Sequence, residues 1–113
     1  MKKLLLLPVV ALISFSPVES ANASGYAQNI CEYVSADDKK RLRSFLKSNK
    51  LKIRKIFDGI QCNGKNMLAF ASEQNAIQTG TLIINKLPKK KVESNLASLS
   101  SGLVDAANKR INS

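Results

Sequence analysis

Apolar residues recur every three or four positions along most of the chain, which is the spacing of amphipathic helices. The clearest stripe lies between Leu51 and Ile60, where Ile53, Ile56, Phe57 and Ile60 stand at i, i+3, i+4 and i+7. An earlier helix is predicted from apolar residues at 42, 45 and 46. It begins at 35–38 with a capping box, in which Ser35 caps and Asp38 completes the pattern. This periodicity predicts an all-α fold, a small single domain of four to five short helices.

A turn at Cys62–Gly64 separates these helices from the later ones. Asn-Gly is among the strongest local turn signals. Because the residues before the turn have helical rather than strand periodicity, we interpret it as a link between helices and not as a hairpin. Asn66 then stands where it can cap a helix predicted over 67–72.

The segment 76–87 is rich in threonine and isoleucine, so strand propensity alone allows a strand over 79–87. Its length and apolar spacing favour a helix, which Pro88 would end. Residues 89–113 follow as a basic hinge and a C-terminal helix or tail. The pattern leaves open whether this last part docks on the core or stays mobile.

The first 23 residues have the pattern of a secretory signal peptide. Two lysines precede an apolar run from Leu4 to Phe15, and Ala21-Asn22-Ala23 supplies a small-x-small cleavage pattern. A membrane anchor is the alternative, but the run is shorter than the roughly 20 residues that span a bilayer. We therefore expect export to the periplasm or the extracellular medium and no transmembrane span in the mature chain. Residues 24–30 are expected to form a flexible leader.

The chain has two cysteines, Cys31 and Cys62, and both follow the expected cleavage site. In an exported chain this count predicts one structural disulfide within a helical domain at 31–88. Such a bridge is worth roughly 3–4 kcal/mol in the chain-entropy model. A redox or metal-binding pair is the alternative, although redox pairs usually have C-x-x-C spacing and zinc wants four ligands. Since the chain also lacks histidine, no catalytic residue, metal site or cofactor is expected.

Positive charge is concentrated in one part of the chain. The formal net charge is +10, from 18 basic and 8 acidic residues. An anion-binding surface and a face that only keeps the protein soluble both fit such a concentration. The candidate anion-binding surface comprises the basic residues between positions 39 and 55, a segment without acidic residues: Lys39, Lys40, Arg41, Arg43, Lys47, Lys50, Lys52, Arg54 and Lys55.

The expected export of the protein limits which anions could bind to these residues. Chromosomal DNA or RNA is not expected as the native partner, and few aromatic residues are interleaved with the basic ones. Envelope polysaccharides and lipid head groups at a membrane surface fit the compartment better. We therefore expect a non-enzymatic binding module for anionic envelope components. The alternative is a module that binds an acidic periplasmic or extracellular protein.

Two stretches resemble known families. Residues 64–71, with the Ile-rich segment after them, resemble a single ankyrin-type helix pair in local geometry. The pattern C-x-Y at 31–33, R-L-R-x-F-L at 41–46 and I-x-C-N-G-x-N-x-L-x-F-A at 60–71 resembles small exported bacterial proteins of the domain of unknown function 3718. This second resemblance covers nearly the whole mature core. It implies the same domain and the same exported setting, and it implies no activity.

Overall fold

The computed structural model describes residues 21–113, so residues 1–20 of the expected signal peptide lie outside the described part. Helices dominate this part of the chain, which confirms the all-α class. None of the helices within 21–113 has the length and apolarity needed to cross a membrane. The helices and strands are α1 (Ala21–Ser35), α2 (Lys39–Ser48), α3 (Ile53–Ile56), β1 (Gln61–Cys62), β2 (Lys65–Asn66), α4 (Met67–Glu73), α5 (Ile77–Lys86), α6 (Lys89–Ser94) and α7 (Ser101–Ile111).

One apolar core receives at least one buried side chain from each of these seven helices. Leu68 of α4 and Ile83 of α5 are among its fully buried side chains. The C-terminal region docks on this core, because Leu103 and Ala107 of α7 are fully buried as well. The strand alternative for 79–87 is excluded, since α5 is helical through Lys86.

The structure differs from the expected flexible leader, because residues 24–30 belong to α1. Among residues 25–35 of this helix, only two apolar side chains, Ile30 and Val34, are fully buried, four residues apart on one face. Tyr26 packs edge-on against Phe45 of α2, with ring centroids 5.9 Å apart. The other side chains of residues 25–35 are exposed or half-buried, which explains the polar composition of this segment.

The start of α2 also differs from the prediction. Ser35 is the last residue of α1, and Asp38 caps α2 by accepting a hydrogen bond from the Arg41 backbone N–H at 3.1 Å. Asp37 between them has a φ of 53°, in the left-handed region. Non-glycine residues at positive φ recur after α2, at Lys50, and after α4, at Asn75. Each allows the chain to leave a helix sharply, with the backbone bonds of a Schellman motif.

The interpretation of Cys62–Gly64 as a simple link between helices was wrong. Asn63 and Gly64 have φ values of 59° and 77° and form the turn of a small hairpin. Strand β1 pairs with β2 in antiparallel register. Asn-Gly is the preferred sequence of a type I′ hairpin turn because both residues tolerate positive φ. Two residues on each side are enough for the pairing, so the helical periodicity upstream did not exclude it.

Asn66 ends this hairpin and caps α4 as predicted, since its Oδ1 accepts a hydrogen bond from the Ala69 N–H at 2.7 Å. The helix predicted over 51–60 is shorter than expected. It consists of α3 followed by a 3-10 turn at Phe57–Gly59. A second 3-10 turn, Leu96–Ser98, separates α6 from α7, so the predicted basic hinge is itself helical and precedes the C-terminal helix.

Candidate functional site

Helix α2 carries basic residues on both sides of its buried leucine stripe. Arg43 and Lys47 are four residues apart, so they lie on the same face of the helix. Together with residues of α5 they line a surface groove. Lys40 and Arg41 lie on another side, beside Phe45. The helical periodicity therefore divides the cations of α2 between two surfaces.

The larger of the cavities beside α5 has a volume of about 480 Å³ and lies between α2, residues 51–54, the end of α5 and the end of α7. We call it the basic groove. Its lining contains no acidic residue. The basic residues that line it are Arg43, Lys47, Lys52, Arg54, Lys86 and Arg110.

The floor of the basic groove is apolar. It is formed by Leu46, Leu51, Ile53 and Leu82. Leu46 and Leu82 are only 9% and 6% exposed, so the floor is the outer layer of the core rather than an open apolar slot. A cleft with one sign of charge and a low-dielectric wall concentrates the electrostatic field, which raises its attraction for counter-ions.

The cations of the groove are not neutralised by the protein within residues 21–113. Ion pairs in this region join Arg41 to Asp38, Lys65 to Glu73 and Lys91 to Asp58. None of these pairs involves a lining residue of the groove. The groove therefore presents uncompensated positive charge to the solvent.

A half-buried contact fixes the two long walls of the groove relative to each other. Asp37, in the turn just before α2, accepts hydrogen bonds from the backbone N–H and the hydroxyl of Thr79, at 2.8 and 3.1 Å. Thr79 is fully buried in the first turn of α5. The carboxylate also suits the positive end of the α5 dipole. This contact ties the start of α2 to the start of α5.

Arg110 closes one end of the groove. Its Nε and Nη2 donate hydrogen bonds to the Leu87 carbonyl oxygen at 3.2 and 3.1 Å. These bonds hold the half-buried side chain in place just after α5. Sequence reasoning missed Arg110 and did not assign Lys86 to the site. The only available signal was the position of Arg110 in the last turn of an amphipathic helix.

A smaller cavity of about 240 Å³ continues the groove along α2 and α5. It shares Arg43, Leu82 and Asn85 with the basic groove, and it adds Lys39. We call the two cavities together the extended groove. Its length follows the direction of both helices.

The other predicted cations lie elsewhere. Lys40 and Arg41 line a shallow cavity of about 500 Å³ next to Tyr33 and Phe45. Lys50 and Lys55 line none of these three cavities. Of the nine predicted residues, the structure thus gathers Lys39, Arg43, Lys47, Lys52 and Arg54 along the extended groove.

The predicted disulfide is confirmed: Cys31 of α1 is bonded to Cys62 of β1, across a sequence separation of 31. Cys62 is 2% exposed and belongs to the core. The bond fastens α1 to the hairpin, and both cysteines of the chain are used in it.

Fold and bridge together define a small disulfide-bonded helical domain with a basic groove on one side. The family described as "Protein of unknown function (DUF3718)" matches residues 30–94, more than half of the chain, and the chain belongs to this family. The match includes both cysteines and every groove cation except Arg110. No curated protein and no solved structure is significantly similar to the chain.

Proposed function

We propose that this protein is an exported, non-enzymatic module that binds an anionic component of the cell envelope through its basic groove. The observation that carries the proposal is the set of six cations that line one cleft without an acidic partner in that lining. Export is supported by the signal-peptide pattern of residues 1–23 and by the Cys31–Cys62 disulfide, a bond typical of oxidising compartments.

Electrostatics gives the physical reason for binding. Like charges around one cleft repel each other, which destabilises the compact state. A bound anion removes this repulsion and also gains from the field of the cleft. We therefore expect anionic ligands to raise the midpoint of thermal unfolding. Salt should weaken the effect, because the Debye length falls to about 8 Å at physiological ionic strength.

The alternative is a module that binds an acidic protein. It is supported by the shallow cavity where Lys40 and Arg41 lie next to the half-buried Tyr33 and Phe45. Aromatic residues and arginine are enriched at protein interfaces. This surface does not overlap the extended groove, so the two candidate functions make different predictions about which residues matter.

A salt titration of binding separates the two candidates. The disulfide-bonded protein would be titrated with an anionic polysaccharide and with vesicles of equal parts phosphatidylglycerol and phosphatidylcholine. We expect binding to at least one of them that weakens steadily as salt is added. Crosslinking pull-down from the exported fraction serves as the second arm. Salt-insensitive capture of one acidic protein, with no binding to either anionic probe, would contradict the proposal.

A further inference from the structure

The cations of α2 form a row along the extended groove. Lys39, Arg43 and Lys47 follow each other at intervals of four residues and line its two cavities. Each interval corresponds to a rise of about 6 Å along the helix. A row of cations at regular intervals suits a ligand with repeated negative charges better than a ligand with one.

The opposite wall of the extended groove is polar but mostly uncharged. Gln78, Thr81 and Asn85 of α5 line it, at spacings of three and four residues. Gln78 and Asn85 are exposed, and their amides offer hydrogen-bond donors and acceptors. One wall therefore suits anionic groups, and the other suits hydroxyl groups. A polymer of acidic sugars carries both kinds of group on every unit.

A lipid surface fits this groove less well. Among residues 25–113, every valine, leucine, isoleucine, methionine, phenylalanine and tyrosine is buried or half-buried, so this part of the chain presents no fully exposed large apolar side chain for insertion between lipids. The groove floor is also nearly closed, as the small exposure of Leu82 shows. The cations lie in a row along an elongated groove, and this shape receives a single chain more readily than a flat layer of head groups.

A nucleic acid strand also fits less well. Single-stranded nucleic acids are held by aromatic side chains on which the bases stack. The linings of the two cavities that form the extended groove contain no aromatic residue.

We infer that the extended groove binds one linear acidic polysaccharide chain. Its carboxylate or phosphate groups contact the cations of α2 and of the groove end, and its hydroxyl groups bond to Gln78, Thr81 and Asn85. This inference rests on the proposed function and narrows it to one class of ligand.

Two pairs of lysine substitutions test whether the polysaccharide binds in the extended groove. The probe is polygalacturonate, a linear polyuronate, at about 0.15 M ionic strength. Lys47→Gln with Lys52→Gln removes two charges from the groove and should weaken binding roughly five- to tenfold. Lys40→Gln with Lys55→Gln removes the same charge outside the groove and should change binding less than twofold. All four lysines are exposed, and loss of positive charge relieves repulsion between the remaining cations, so neither variant should have a lower thermal midpoint than the parent protein.

A third variant tests the recognition of sugar hydroxyls. Gln78→Ala with Asn85→Ala leaves the charge unchanged and should weaken polygalacturonate binding about three- to tenfold. The same variant should bind polyglutamate, a polyanion without hydroxyl groups, as tightly as the parent protein does. Monomeric galacturonate should bind far more weakly than the polymer, because it contacts only part of the row of cations.

The outcomes distinguish the inference from the proposed function. Equal losses in the two lysine pairs, or unchanged polygalacturonate binding in the Gln78→Ala, Asn85→Ala variant, would overturn the assignment of an acidic polysaccharide to the groove. Binding to the phosphatidylglycerol vesicles without binding to the polymer would overturn it too, while the proposed function stands. Absence of binding to polymers and vesicles alike would overturn the proposed function itself.

Discussion

Helix α1 begins the described part of the chain and helix α7 ends it. Both helices pack on the same core, but different kinds of contact hold them there. Helix α1 is fastened covalently, through the bond between Cys31 and Cys62. Helix α7 is held by packing of Leu103 against α5 and by the hydrogen bonds of Arg110 to the Leu87 carbonyl. The first contact is a covalent constraint, and the second depends on shape and hydrogen bonding.

The difference bears on the candidate site. The region that matches the family contains the disulfide and ends at Ser94, before α7 begins. Arg110, which closes the groove, lies in α7 beyond that region. The covalent contact therefore supports the core, while the non-covalent contact also shapes the basic groove. Perturbing α1 should affect stability most, and perturbing α7 should affect stability and binding together.

The largest effect is expected from loss of the disulfide. Replacing both cysteines, Cys31→Ala with Cys62→Ala, should lower the free energy of unfolding by about 3–4 kcal/mol, because the unfolded chain regains the entropy of an open loop. Urea denaturation of the oxidised protein and of the variant measures the difference. Reduction of the parent protein should give a similar loss. An unchanged midpoint after reduction would show that the bond does not stabilise the fold.

The packing of α5 on α7 should be the next most sensitive feature. A Cβ atom at Gly80 would lie 2.6 Å from Leu103 Cδ1, and Leu103 is fully buried. Gly80→Ala should therefore cost about 1–2 kcal/mol, since overpacking outweighs the gain in helix propensity. Chemical denaturation of this variant gives the value.

Gly102→Ala is the matched control for that substitution. Its Cβ would meet Ile77 Cδ1 at 2.5 Å, but Ile77 is only partly buried and the contact is the end of a side chain that can rotate. We expect a change of less than about 0.5 kcal/mol. Equal losses in the two variants would show that the close approach at Gly80 has no special importance.

Loss of the Arg110 side chain should lower both the stability of the fold and the affinity for polygalacturonate. Arg110→Met removes two hydrogen bonds to the Leu87 carbonyl and should cost about 1–2 kcal/mol of stability. It should also weaken polygalacturonate binding, although α2 is untouched. Lys109→Met is the control, because Lys109 is exposed and does not line the groove. If both variants bind alike, Arg110 does not belong to the site.

A small gain is expected at the end of α2. Lys50 has a φ of 53°, a conformation that glycine adopts without strain. Lys50→Gly should stabilise the protein by about 0.5–1 kcal/mol, after the entropy of the more flexible unfolded chain is included. It should leave polygalacturonate binding unchanged, since Lys50 lies outside the groove. Lys47→Gly, within the helix, should instead destabilise by about 1 kcal/mol.

Local features of the fold could be predicted from the sequence. The periodicity of apolar residues predicted α2, α4 and α5, because each helix buries one face. The cap at Asn66 followed from its position before an apolar run, and the disulfide followed from the cysteine count. The structure differed from the prediction in elements where only a few side chains show the periodicity of a helix or strand. Among residues 25–35 of α1, only Ile30 and Val34 are fully buried, and the hairpin has two residues in each strand.

The candidate site could be predicted only in part. The run of nine cations was visible in the sequence, but its division between two surfaces depends on which face of α2 meets α5. That packing is fixed by contacts between distant residues, such as the hydrogen bonds between Asp37 and Thr79. Arg110 lines the groove because α7 docks on the core. The sequence around positions 39–55 contains no information about that docking.

We propose that the extended groove, and not the whole basic segment at 39–55, binds the anion. Backbone amide chemical shifts measured by NMR during titration with polygalacturonate test it most directly. Binding in the groove should give the largest changes in chemical shift at Arg43, Lys47, Asn85, Lys86 and Arg110, and small changes at Lys40, Lys50 and Lys55. Shifts of similar size over all nine predicted cations, or shifts centred on Lys40 and Arg41, would contradict it.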